Sequence, residues 1–432
     1  MIAFITLLLG IVTGTETFAL RVDDAVHHVD LQLDGALVQV LEQRPWKARI
    51  DFGPRPKPHH LAAIARALNG DELGRAEQWL NLPQPAAHAS VAIERRSDGS
   101  AIAHLSWESL AGASPQRVDA SFDGKPLTVT DATRIPIAPF DDDALHFLRI
   151  ELVFTDSVSS LIERTLGGTY TDSVATELTA VPIIVDKARR KLAIADLQGS
   201  LISGGQTLEV VAVENGPSIA VMVADRSAFG SLSAQIDPRR SRQQIAAGAA
   251  WLTLGKKQRL RFLWPVTQRQ LGASRSYDLF NLSSVFKAHK NGVYHLIRNV
   301  RRPHYTEIGQ QRLADAVANA ALEATSRRRS RAVILVLGTQ PEDHSTLTPP
   351  QVRDFLADLQ VPLLVWSVKT VPEISPWGEA RSISDPQRLA SAVHDLSRQL
   401  KAQRIVWVDG IHLPQTLRLH AVAQSDGLRL VR

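Results

Sequence analysis

Residues 218–230 read SIAVMVADRSAFG, and the rest of the chain is organised around them. Five consecutive apolar residues, Ile219–Val223, suit a strand buried on both faces of a parallel sheet. The run ends in Ala224-Asp225-Arg226-Ser227, so a carboxylate and a hydroxyl follow directly on the strand. In open α/β sheets ligands bind beyond the carboxyl ends of the strands, which makes Asp225, Arg226 and Ser227 the first candidate site residues.

Downstream the period lengthens. Gln243–Leu254 and Ile308–Thr325 read as helices, the second strongly amphipathic, and Arg259–Val266 and Arg331–Leu337 read as strands. Pro349–Leu359 is a helix with proline in its first turn, Val361–Val368 a strand, Asp385–Gln403 a helix and Arg404–Val408 the last strand of the parallel set. This order predicts a doubly wound, mostly parallel, Rossmann-like sheet over residues 216–432. Thr267–Tyr305 is poorly periodic, with a helix and a strand expected within Ser283–Val300, and Leu417–Val431 adds one or two polar strands.

Upstream the pattern is short apolar alternation broken by Asp-Gly and Asn-Gly turns, the pattern of β-sandwiches. It recurs. Asp34-Gly35 returns as Asp123-Gly124, Arg49-Ile50 as Arg134-Ile135 and Leu61 as Leu148, at offsets of 89, 85 and 87 residues. Such agreement predicts two immunoglobulin-like β-sandwich units, 21–85 and 86–175, followed by a β connector at 176–215. The fold class expected is multi-domain, all-β followed by α/β.

Composition narrows the function. A chain of 432 residues with 49 basic and 44 acidic side chains is nearly balanced, which argues against a nucleic-acid partner. The absence of cysteine removes disulfides, thiolate metal sites and cysteine nucleophiles. Ile2–Val12 is almost unbroken apolar and Thr17-Phe18-Ala19 resembles a cleavage site, so residues 1–20 read as a signal peptide or short anchor. A periplasmic or extracellular location, with membrane proximity through that segment, is the accompanying expectation. The run is shorter than the roughly 20 residues that span a bilayer, and no Lys or Arg precedes Arg21.

Three phrases in order resemble the von Willebrand factor type A (vWA) domain, most closely the VWFA-related proteins of acidobacteria. Val221–Ser227, VMVADRS, is similar to the first strand with its Asp-x-Ser-x-Ser motif; Gly309–Val317, GQQRLADAV, is similar to the helix start GGTALYDAI; and Arg331–Val352, RAVILVLGTQPEDHSTLTPPQV, resembles the fourth strand, its metal loop and the following helix. The match covers about Ile219–Asp409, and Leu192–Asn215 resembles the segment that introduces the domain. The resemblance implies a site for Mg²⁺ or Mn²⁺ held by oxygens from three loops and completed by a partner's carboxylate. On that pattern Asp225 and Ser227 are the metal residues, while Phe229 replaces the second serine, Gln311 the threonine, and Thr339 or Gln340 the loop aspartate; Asp343 is close enough to act as a displaced ligand. A phenyl ring cannot coordinate. The implied reading is a degenerate metal-ion-dependent adhesion site with no resident cofactor, its cation place open to an arginine among Arg226, Arg239, Arg240 and Arg242.

Other candidates are bland. His27-His28 and His59-His60 are adjacent pairs, which on a strand point to opposite faces, so ordinary surface histidines are expected. There is no Gly-x-Ser-x-Gly elbow for a hydrolase and no phosphate-binding Gly-x-x-x-x-Gly-Lys, hence no evident small-molecule substrate. Arg327-Arg328-Arg329 follows a helix and suits a solvated cationic cap. The expected function is an exported, non-enzymatic protein that binds a protein partner through a vWA-like apex formed by Asp225, Arg226, Ser227, Gln311, Thr339 and Asp343. A structural spacer whose sandwiches make the contacts is the alternative, and a hydrolase the second alternative.

Overall fold

The two Asp-Gly turns mark the same place in two copies of one architecture. The structure, a computed structural model, describes residues 2–141, 144, 146–155, 158–166, 178–185, 192–235, 254–287, 310–369 and 372–431. The chain divides into two units, the first Met1–Ala175 with Arg269–Leu279, the second Thr176–Gln268 with Phe280–Arg432.

In the first unit β1 (Ile2–Phe4), β2 (Thr15–Val22), β3 (His28–Leu33), β4 (Ala36–Leu41), β5 (Lys47–Asp51), β6 (His59–Arg66) and β7 (Glu72–Leu80) form two sheets, β1-β2-β5 and β4-β3-β6-β7. Residues of both sheets, among them Phe18, Ile50, Leu31 and Leu61, share one core. Next come β8 (Ala87–Arg95), β9 (Ala101–Ser109), β10 (Arg117–Phe122), β11 (Lys125–Pro126), β12 (Arg134–Ile137), β13 (His146–Thr155) and β14 (Val158–Leu166). They repeat the arrangement as β8-β9-β12 and β11-β10-β13-β14 around a second core.

Each copy carries the same clasp. Asp34 and Asp123 sit at φ 54° and 50°, each followed by a glycine of positive φ, as a tight hairpin with both central residues left-handed requires. Asp34 accepts from His59 Nδ1 at 2.8 Å and from the His60 N–H at 2.9 Å, and Asp123 accepts from His146 Nδ1 at 2.7 Å and from the Phe147 N–H at 2.9 Å. One carboxylate thus ties the hairpin between the third and fourth strands of each copy to the start of the sixth.

The apolar N-terminal run packs within the first unit. Ile2–Phe4 pairs antiparallel with Leu20–Val22, and Ile2, Phe4, Leu7, Leu8 and Val12 are all in the first core. Full burial of such side chains contributes about 1.5–3 kcal/mol each, so this segment adds to the first core. Residues on both sides of position 21, from Ile2 to Leu80, share that core.

Two antiparallel sheets of the second unit draw on both ends of its sequence. β15 (Leu178–Val185), β16 (Leu201–Ser203), β17 (Gln206–Thr207) and β18 (Val210–Glu214) precede the long apolar strand β19 (Ser218–Ala224) and helix α1 (Ala228–Gln235). Then follow β20 (Gln258–Leu271), β21 (Ser276–Leu282), β22 (Phe286–Lys287), α2 (Leu313–Thr325), β23 (Ser330–Leu337), α3 (Pro349–Asp358), β24 (Leu363–Ser367), β25 (Ala380–Ser382) and α4 (Pro386–Ala402). The chain ends with β26 (Gln403–Asp409), β27 (Arg418–Leu419), α5 (Ala421–Ser425) and β28 (Leu428–Leu430). β26, expected to close the parallel set, instead pairs antiparallel with β15 and β18. The segment expected as a β connector pairs with strands from the end of the chain. With the C-terminal strands it builds the sheets β18-β26-β15-β28 and β17-β16-β27 around a core of their own.

β20-β19-β23-β24-β25 run parallel, with β21 at the edge beyond β20. Every residue of β19 and β23 is buried. Ala220, Met222, Ile334 and Val336 share a core with Leu232 of α1 and Leu389 and Leu396 of α4. α2 packs on the same two strands, and because side chains alternate along a strand, it covers the opposite set. The expected helix Gln243–Leu254, apart from Leu254, the three arginines Arg239, Arg240 and Arg242, and most of Ser283–Val300 lie outside the described residues.

The poorly periodic stretch after Val266 includes the long arm of β20 and its return β21. Its turn, Arg269–Leu279, belongs to the first unit, where buried Glu108 of β9 accepts from the backbone N–H groups of Ala273 and Ser274, both at 2.9 Å. Gly272 is required there, since a Cβ would meet Glu108 Oε1 at 2.0 Å.

Candidate functional site

At the carboxyl ends of β19 and β23, three stretches of backbone converge on one carboxylate. Asp225 follows β19 directly, its own N–H bonded to Val336 O at 2.8 Å, and it is fully buried. A buried charge needs donors around it, and Asp225 has them from three places. Oδ1 accepts from Gln311 Nε2 at 2.9 Å; Oδ2 accepts from the Gly338 N–H at 3.0 Å and from the Ser227 hydroxyl.

Gly338 makes the convergence possible. A Cβ there would lie 2.1 Å from Ser227 Oγ and 2.2 Å from Ala228 N, so only glycine lets the loop after β23 approach the loop after β19 this closely. Ser227 Oγ then accepts the Gln340 N–H at 3.0 Å, a second stitch between the two loops. Gln311 is the third part. Its Oε1 accepts the Arg226 N–H at 2.8 Å, and since a backbone N–H can only donate, the amide oxygen faces Arg226 and the nitrogen faces Asp225.

Asp343, considered as a displaced ligand, serves α2 instead. Its carboxylate accepts from the N–H groups of Leu313 at 2.8 Å and Ala314 at 3.2 Å, in the first turn of that helix, and from Ser345 N at 3.0 Å. Negative charge at a helix N-terminus is favoured by the unpaired donors and the dipole there. Thr339 is exposed at the top of the loop, beside exposed Gln340. Asp225, Ser227 and Gln311 are thus brought into direct contact, Arg226 joins through its backbone, and Asp343 works one step away. Phe229 lies in α1 by its backbone; its side chain is outside the described residues.

Sequence reasoning missed Asp315. It is nearly buried in the first turn of α2, accepting from the N–H groups of Thr346 and Leu347, each at 3.0 Å, and from Arg312 Nε at 2.8 Å. The one available signal was an acid in the first turn of a helix whose neighbours are apolar. Together Asp225, Asp315 and Asp343 use their oxygens on N–H and O–H groups of the chain itself. Among the described residues, no group of three or more His, Asp or Glu side chains is placed to hold a metal ion.

The histidine pairs depart from expectation in two ways. His59 is buried by its clasp, and His27, which precedes β3, brings its Nδ1 within 3.2 Å of His28 Nδ1 because strand alternation does not govern a residue outside the strand. Arg328 lies past the end of α2 with its guanidinium 5.8 Å from the Trp407 ring.

No protein-family model matches the chain, and no curated protein matches it. Among solved structures it is similar to proximal thread matrix protein 1 from the mussel byssus, with 18% identity and a TM-score of 0.29 over 45% of this chain and 49% of that one. It is also similar to the fibronectin(III)-like modules of Clostridium thermocellum CbhA, with 12% identity and a TM-score of 0.16 over 41% of this chain and all of that one. A third similarity is to the human COPII-coat protein Sec24c, with 8% identity and a TM-score of 0.25 over 48% of this chain and 41% of that one. The chain thus spans about half the length of the mussel protein, and similarity at this level assigns neither fold nor role.

Proposed function

We propose that the parallel sheet of the second unit is a domain of the vWA kind, and that the chain is a non-enzymatic binding protein whose apex docks a protein partner. The two seven-stranded sandwiches, immunoglobulin-like in strand number, are its other modules. The observation that carries this reading is the convergence of the loop after β19, Gln311 and the loop after β23 on buried Asp225. It makes a rigid platform at the ligand-binding end of a parallel sheet, and the platform presents exposed Thr339, Gln340, Glu342 and His344. Asp225 is fully buried and already accepts from Gln311 and Gly338, and the Ser227 oxygen accepts from Gln340, which makes the pair part of the platform in this reading.

The test uses the full chain, immobilised, with proteins retained from the source cell extract compared between wild type and two surface variants. Thr339→Arg with His344→Glu alters the apex; Phe147→Arg alters an exposed position of the second sandwich. Loss of a retained protein in the apex variant alone supports the reading. Loss in the sandwich variant alone transfers the contact to the sandwiches and removes the apex from the function.

A further inference from the structure

We propose that the Gln311 carboxamide stands in for the divalent cation that the vWA resemblance implies, so that the apex is assembled and held without metal. The inference rests on the vWA reading of the domain for the place of the cation, and on the following geometry for what takes that place.

A carboxylate as deeply buried as Asp225 needs compensation on both oxygens. Among the described residues all of it comes as hydrogen-bond donors: an amide N–H from ahead of α2, a backbone N–H from the loop after β23, and the hydroxyl of Ser227. A hard cation would need the reverse polarity, oxygen lone pairs directed at a common point. Gln311 cannot supply it, because its oxygen is held by the Arg226 N–H and its nitrogen is turned to Asp225. The residues therefore do not fit Mg²⁺ or Mn²⁺. The amide performs the cation's mechanical task, linking the first loop to the segment before α2, with a neutral dipole. Arginine, the alternative considered from the sequence, is not the group that meets Asp225 among the described residues. An apex built this way holds one conformation whatever the supply of divalent ions, and chelation leaves it unchanged.

The experiment is thermal unfolding of the full chain at neutral pH in chelator, in Mg²⁺ and in Mn²⁺. Wild type is expected to melt at the same temperature in all three. Gln311→Glu, which is isosteric, sets an oxygen where Nε2 now lies 2.9 Å from Asp225 Oδ1. Two facing carboxylates repel, so this variant should melt several degrees lower in chelator, recover in Mn²⁺, and recover on mild acidification when the introduced carboxyl can donate a proton to the bond. A Gln311→Glu variant that melts like wild type in chelator overturns the proposal. So does a wild-type transition raised by Mn²⁺ and no longer raised in Asp225→Asn, which would put a cation at Asp225 while leaving the vWA reading in place. Should Gln311→Glu fail to fold, Gln311→Met removes both bonds without adding charge; it should melt lower and ignore Mn²⁺, and equality with wild type overturns the proposal. Failure of the partner-capture test leaves these melts untouched, so the two ideas fail separately.

Discussion

Two glycines, Gly338 bonded to Asp225 across 113 residues and Gly230 five residues after it, should respond to alanine with opposite sign. At Gly338 the added Cβ would lie 2.1–2.2 Å from Ser227 and Ala228, far inside contact distance, and the nearest atoms include backbone that cannot swing aside. The loop after β23 must back away, stretching the 3.0 Å bond from the Gly338 N–H to Asp225 and the 3.0 Å bond from Gln340 to Ser227. Overpacking costs about 1–3 kcal/mol and the loss of one donor to a buried charge about 1.5–3 kcal/mol, so Gly338→Ala should destabilise the second unit by about 3 kcal/mol or more. For a unit of this size that is a fall in melting temperature of about 6–12 °C. Gly230, in α1, has nothing within 4 Å of its virtual Cβ, and its replacement by alanine should stabilise by about 0.4–1 kcal/mol through helix propensity and a less disordered unfolded chain. Equilibrium urea unfolding followed by far-UV circular dichroism measures both. Gly338→Ala within about 0.5 kcal/mol of wild type, the scatter of an ordinary surface substitution, would refute the claim that this close approach holds the apex together.

Asp343→Ala should cost about 1–2 kcal/mol by uncovering the first N–H groups of α2, with faster hydrogen exchange at Leu313 and Ala314 as the local readout. Glu108→Gln keeps the size but turns an N–H₂ group toward donors in the turn of Arg269–Leu279; the first unit should lose about 2 kcal/mol, and limited proteolysis should reach that turn sooner. The clasps predict a pH profile. The His146 bond and the Phe147 N–H hold the Asp123 carboxyl below its usual range, and Asp123 in turn raises His146; for Asp34, burial works upward but the His59 and His60 bonds prevail and lower it. The carboxylate contributions are present above the ordinary carboxyl value of about 4 and fade as pH falls through the lowered ones, whereas the His146 contribution is complete below about 6.5 and fades as pH rises through its raised value. The first unit should therefore melt highest between about pH 4 and 6.5, and Asp123→Asn should flatten both flanks of the profile.

What could be read in advance was local. The Asp-Gly turns are visible because two left-handed residues in succession demand particular side chains, and their spacing exposed the duplication before any strand was placed. β19 and β23 were visible as runs buried on both faces. The failures share a cause, a partner far away in sequence. Ile2–Phe4 shows no strand alternation of its own, and its pairing with Leu20–Val22 is a contact across about 18 residues. β26 has the composition of a parallel strand and joins β15 and β18, about two hundred residues earlier. At the apex, the sequence identified Gln311 as a departure from a pattern; that its two ends would bind Arg226 and Asp225 depends on a contact across 86 residues.

Glu108 and the turn it holds bear on how this chain can be divided. The first unit is not a continuous piece of sequence, since Arg269–Leu279 belongs to it. A fragment ending at residue 175 would contain both sandwiches and still lack part of its own fold, leaving a carboxylate that is 0% exposed without the two N–H groups that satisfy it. Domain-by-domain expression guided by the linear order of the sandwiches would thus deliver a damaged first half. During synthesis the same arithmetic applies: the first unit cannot be finished until the ribosome has passed residue 279, about a hundred residues after both sandwiches have been made.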